Sequence, residues 1–159
     1  MTFSWLRNTF LATAVLTSFS PLKGQQADFN EVSRQMAIML QNSHFARLPF
    51  EQELGRRFWD DYLRDLDFQR LYFTQEDVDR FNEEYGSRMD ELIMQRKSID
   101  AANAIYEVFK ERVRARVQQT EKLLNGQDFD FSSGEKVMIS RKDAPWPKNE
   151  KEAAELWRL

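Results

Sequence analysis

A chain of 159 residues with a formal net charge of −3 has the length of one domain. Its 42% hydrophobic and 13% aromatic residues can bury a core, which excludes a wholly disordered chain. The acidic balance speaks against an electrostatic grip on nucleic acid or anionic lipid, and the absence of cysteine excludes disulfides and thiolate zinc sites.

The first residues, MTFSWLRNTFLATAVLTSFSPLKGQQ, set Arg7 before an uncharged run from Thr9 to Phe19, with Pro21 and Gly24 behind it. This is the layout of a signal peptide over residues 1–24, with cleavage placed near Gly24 although no Ala-x-Ala marks it. The run is shorter than the ~20 residues that cross a bilayer, so no stable membrane span is expected. A buried N-terminal helix is the other reading of the same run. Removal of residues 1–24 takes Arg7 and Lys23 and no acid, which leaves a charge of −5.

Only 5 Gly and 4 Pro predict an all-α chain. Asp28 is the N-cap of a first helix whose Phe29, Val32, Met36, Met39 and Leu40 share one face. Pro49 breaks the chain. A second helix then carries Phe50, Leu54, Phe58 and Tyr62, widened by Trp59, Leu63 and Leu66 into a stripe expected to be buried against more than one neighbour. Thr74 with Asp77 reads as a capping box before Val78, Phe81 and Tyr85, and Gly86 as the stop. A short piece holds Met89, Leu92 and Ile93. The longest element runs from Ile99 to Leu124, with Ala102, Tyr106, Phe109, Val113, Val117 and Thr120 between them on its expected inner face, and ends at Asn125-Gly126.

After that helix the texture changes. Phe129 and Phe131 alternate briefly, Ser133-Gly134 turns, and Val137–Ile139 is β-prone. Pro145 and Pro147 each fix φ and push the residue before them towards an extended conformation, so this short β-like segment near 128–148 is a stiff strap that holds Trp146 at a set angle. Asn149 with Glu152 opens another helix, whose inner face is Ala153, Leu156 and Trp157.

No constellation of catalytic residues is found, and no cofactor or metal is expected. His44 is the only histidine and reads as a helix-end residue. Asp60-Asp61, Asp65, Asp67 and Glu83-Glu84 read as solvated surface. Lys110, Arg112, Arg114, Arg116 and Lys122 read as the wet side of the long helix, mixed with Glu107, Glu111 and Glu121, rather than as a nucleic-acid patch.

Three stretches carry a resemblance. YLRDLDFQRLYFTQEDVDRF (62–81), the long helix after it and RKDAPWPKNEKEAAELW (141–157) are similar to the N-terminal domain of the tail-specific proteases, also called carboxy-terminal processing peptidases. Its most specific part is Ala144-Pro145-Trp146-Pro147-Lys148-Asn149 with the Leu-Trp pair at 156–157. Leu66-Asp67 and Tyr72-Phe73 support it. The resemblance covers roughly residues 28–159 and implies an exported, periplasmic protein. In that family a PDZ domain and a serine peptidase with a Ser-Lys dyad follow the helical domain, and proteins are cleaved after recognition of nonpolar C-termini. Neither part lies in this sequence, so no residue here takes a catalytic role from the resemblance. It implies a helical N-terminal domain over 25–126, the strap over 127–148, and at 149–159 the start of a helix leading to downstream domains that are absent. The partners are then those PDZ and peptidase domains and the protein substrates of the intact enzyme. Pro145, Trp146, Pro147, Leu156 and Trp157 are the candidate interdomain residues, with Leu156, Trp157 and Trp146 expected to be partly uncovered. A stand-alone periplasmic adaptor derived from the same domain is the alternative expectation.

Overall fold

The computed structural model describes residues 27–126, 129–130, 132 and 134–159. The segment 1–24, Phe131 and Ser133 lie outside the described residues. In chain order the elements are α1 (Phe29–Ser43), α2 (Gln52–Leu66), α3 (Gln75–Glu84), a 3-10 turn (Gly86–Arg88), α4 (Met89–Met94), α5 (Ser98–Gly126) and α6 (Glu150–Arg158). The fold is all-α, and no strand occurs among the described residues. Val137, Met138 and Ile139 are exposed and pair with nothing as a ladder.

The helix starts follow local chemistry. Asp28 accepts from the Glu31 N–H at 3.1 Å, and Asn149 accepts from the Glu152 N–H at 3.1 Å. Thr74 and Asp77 form the full reciprocal box at the start of α3. In each case a side-chain oxygen satisfies an amide that the first helical turn leaves without a carbonyl.

The core is small and aromatic. Trp59 and Leu63 of α2, Phe73 before α3, Val78 and Phe81 of α3, Met89, Leu92 and Ile93 around α4, and Ala101 and Ile105 of α5 are buried together. Phe73 meets Phe81 edge-on at 5.4 Å and Phe109 at 5.8 Å. Edge-to-face geometry sets the positive ring edge against a negative face. The Trp59 indole N–H donates to Asn82 Oδ1 at 2.7 Å, so the largest core side chain leaves no unmet donor.

Three sequence expectations are corrected here. Gly86 does not end α3 as a left-handed cap. Tyr85 caps α3, and Gly86 lacks a side chain because a Cβ there would sit 2.8 Å from Trp59 Nε1. On α2 the buried stripe is Gly55, Trp59 and Leu63, while Phe58 is exposed. On α5 the buried residues are Ser98, Ala101 and Ile105, whereas Tyr106, Val117, Thr120 and Leu124 are exposed. The helix is thus rotated by about one residue, roughly 100°, from the expected face. It turns because its central residues reach polar partners on α3 and α6, described below.

Gly55 yields a sign reversal. In an ordinary helix interior Gly→Ala stabilises by about 1 kcal/mol. At Gly55 the new Cβ would lie 2.8 Å from the backbone N of Asp90, which cannot swing aside as a side-chain tip could. Gly55→Ala is expected to destabilise by about 1–3 kcal/mol in urea unfolding, as over-packing does.

Candidate functional site

The sequence between α2 and α3 holds the main anchor. Asp67 ends α2 and is 2% exposed. Its Oδ1 accepts from the Leu71 N–H at 2.8 Å, and its Oδ2 accepts from the N–H groups of Tyr72 (3.2 Å) and Phe73 (3.0 Å). A fourth donor comes from far along the chain: the Trp146 indole N–H, 3.1 Å from Oδ2. A negative charge at a helix C-terminus is unfavourable on dipole grounds. These four donors outweigh that, and they replace the water a buried carboxylate would otherwise lose. The expectation that Asp67 is solvated surface is therefore wrong. Helical spacing did not mark it, because its local donors are backbone amides four to six residues on and its fourth donor lies 79 residues away.

The turn that aims the three amides is strained at one point. Arg70 has φ of 52°, the left-handed region, which a β-carbon disfavours. Its amide donates to the Asp67 carbonyl at 2.9 Å. Its guanidinium donates to the Ala144 carbonyl and lies 4.5 Å from the Trp146 ring centroid. Arg70 thus grips the strap at Ala144 and Trp146, the residues before the two prolines. Gln69 adds to this by accepting from the Arg141 N–H at 2.8 Å.

The five sequence-predicted interdomain residues fall as follows. Pro145 is exposed, and its carbonyl accepts from Arg141 Nη2 at 3.0 Å. Trp146 is half-buried on the Asp67 anchor. Pro147 is buried, and its carbonyl accepts from the N–H of Gln75, the first residue of α3, at 2.8 Å. Leu156 and Trp157 are half-buried, and the Trp157 indole N–H donates to the Leu71 carbonyl at 2.5 Å. So the structure brings Trp146, Pro147 and Trp157 to one place, the α2–α3 junction.

A second buried carboxylate holds α6. Asp77 is 2% exposed and receives both Nε and Nη2 of Arg112 at 2.9 Å. Nη1 of the same guanidinium reaches Glu150, at the start of α6, at 2.5 Å. Gln119 donates to the Ala154 carbonyl at 2.9 Å, one α6 turn further on. Beneath α6 a cavity of about 200 Å³ remains, lined by Tyr72, Arg112, Gln119 and Trp157 among others. The helix is therefore held by these polar latches more than by close packing, with Ala153 its one buried residue. Arg112 does not belong to a wet basic side, as the sequence suggested. It faces inward, and Arg116 beside it lies 5.4 Å from the Trp157 ring centroid.

Burial pushes the Asp77 carboxyl up, but hydrogen bonds from Arg112 and Thr74 and the Arg112 charge outweigh it and hold the carboxyl below its ordinary value. Arg112 is pushed up in turn, chiefly by its hydrogen bond to Asp77. His44 caps the end of α1 and accepts from the Ala46 N–H at 3.3 Å. No cluster of three or more metal-ligating side chains occurs among the described residues. No helix among them is long and apolar enough to cross a membrane.

Fold and site together define an all-α domain with a Pro-Trp-Pro strap and the helix after it tied to its α2–α3 junction. The family described as the tail specific protease N-terminal domain matches residues 36–159, and the chain belongs to that family. It is similar to the tail-specific protease of Haemophilus influenzae, with 28% identity over 125 residues, 79% of this chain and 18% of the relative. The chain thus spans less than a fifth of the length of that curated relative. The matched span contains Asp67, Asp77, Arg112 and the whole of the strap's anchor.

Asp67→Ala strands buried amide donors and is expected to cost about 3 kcal/mol in chemical denaturation, whereas Trp146→Phe, which removes a single donor, costs about 1 kcal/mol. Asp77 supplies a pH signature. Its folded-state pKa is depressed, so its contribution is present above the unfolded value, near 3.9, and is lost as pH falls through the folded one. Arg112→Met is expected to destabilise at pH 7. The gap between variant and parent in thermal unfolding should narrow below about pH 4, where Asp77 becomes protonated in the unfolded chain.

Proposed function

We propose that this chain is the helical scaffold domain at the front of an exported, periplasmic tail-specific serine protease. In that reading the PDZ and Ser-Lys peptidase parts belong to the longer polypeptide, which processes or degrades proteins from nonpolar C-termini. The signal-peptide layout of residues 1–24 supports export. The family supports the placement of the domain ahead of a protease.

One observation carries the scaffold role. The strap and α6 do not hang from the bundle but are tied to it, by Trp146 on Asp67 and by Glu150 on Arg112. A domain that only needed to fold could leave its last segment loose. One that must set the direction in which a neighbour is presented has to spend side chains on that segment.

The chain by itself is expected to leave an unfolded protein with a nonpolar C-terminus intact, and cleavage above background would overturn the reading. An antibody raised against residues 28–159 is expected to detect, in a periplasmic extract, a band far above the 19.0 kDa of this chain. A single band at or below that mass would instead favour the adaptor.

A further inference from the structure

The strap is pinned at two points and carries an unpaired run between them. On one side Glu135 pairs with Arg158, on the last turn of α6, at 2.6 Å. On the other, the Arg141 N–H donates to Gln69 at 2.8 Å, and its guanidinium donates to the Pro145 carbonyl at 3.0 Å. The residues between, Lys136-Val137-Met138-Ile139-Ser140, are all exposed, Ile139 by 99%. Their backbone enters no helix and no ladder, and none of its N–H or C=O groups meets a partner among the described residues. The composition is that of a strand. Val137 and Ile139 are β-branched, and the run holds no Gly, Pro, Asn or Asp. A loop made only for water would not show three large apolar side chains in succession.

We propose that residues 136–140 are a strand-addition site, completed by the free edge of a β-sheet in the rest of the longer polypeptide. The proposal rests on the protease reading above. Three features select this occupant. Successive unpaired backbone groups are matched by a sheet edge, whereas a helix has already paired its own. Main-chain hydrogen bonds then supply affinity, and alternate side chains, Val137 and Ile139 against Met138, supply specificity. Charge adds to this. Lys136 precedes the run and Lys142 follows it, both exposed, in a chain whose net charge is −3. The complementary edge therefore carries acids opposite the two ends. Position selects the source. The Glu135–Arg158 pair holds the run beside the last turn of α6, and the chain spans 18% of its matched relative. In the proposed enzyme the polypeptide continues past Leu159 next to this run, so the sheet meets it at a high effective concentration.

Hydrogen exchange on the product of the whole reading frame tests this. Amides of 136–140 are expected to exchange at least about tenfold more slowly in that product than in this chain alone, where nothing pairs them. Alternate amides of a strand face its partner. One of Val137→Pro and Met138→Pro should therefore abolish the slowing, and Met138→Ala, which keeps the backbone N–H, should not. Both positions are exposed, so the Tm of this chain is expected to stay the same. Fast exchange at 136–140 in the longer product overturns the proposal and leaves the protease reading standing. Slowing that survives both proline substitutions overturns it too, since side chains rather than backbone would then be covered. So does slow exchange in this chain alone that strengthens with concentration, which would give the run to a second copy. A blot showing only a band at or below 19.0 kDa removes the longer polypeptide, and the proposal falls together with the protease reading.

Discussion

The strap near the C-terminal end of this domain depends on one buried carboxylate. Asp67 sits where α2 stops, and its two oxygens collect three successive backbone amides and an indole N–H. The amides fix the turn that delivers Phe73 into the core and Thr74 into its capping position. The indole fixes the strap. A single side chain therefore couples a local turn to a segment 79 residues away. Nothing apolar could do this, because an apolar side chain would leave four donors without acceptors in a region water does not reach.

The second carboxylate repeats the principle one layer out. Asp77 closes the cap of α3 and takes the Arg112 fork, and the same guanidinium extends to Glu150 on α6. Planar, bidentate recognition is what arginine offers and lysine does not. Because the fork is shared, one guanidinium ties together the start of α3, the middle of α5 and the start of α6. This is why α6 keeps a defined position although it is short, rests over a cavity and buries only Ala153. Isolated helices of that length do not persist in water.

α1 shows the opposite economy. Apart from buried Ala37, it meets the bundle through hydrogen bonds at Asn30, Ser33 and Gln41 and through the ion pairs of Asp28 and Glu31 with Arg96, and its large apolar residues are exposed. An inverted helix leaves its apolar stripe exposed among the described residues.

The sequence by itself determined where helices begin and that the chain is helical. Asp28, Thr74 with Asp77, and Asn149 cap by contacts within three residues, so their signals are complete in a short window. The prolines around Trp146 likewise act on their own neighbours. Family membership was legible for the same reason, since the motif around Trp146 is contiguous. The tertiary structure alone decided which face each helix turns inward. α5 carries apolar residues on several sides, and what selected Ala101 and Ile105 over Tyr106 and Val117 was the reach of Arg112 and Gln119 to α3 and α6. The burial of Asp67, the inward turn of Arg112 and the outward turn of Met36 have the same origin. Each depends on partners distant in the chain, and spacing within a helix records only that residues share a side, not what that side will meet.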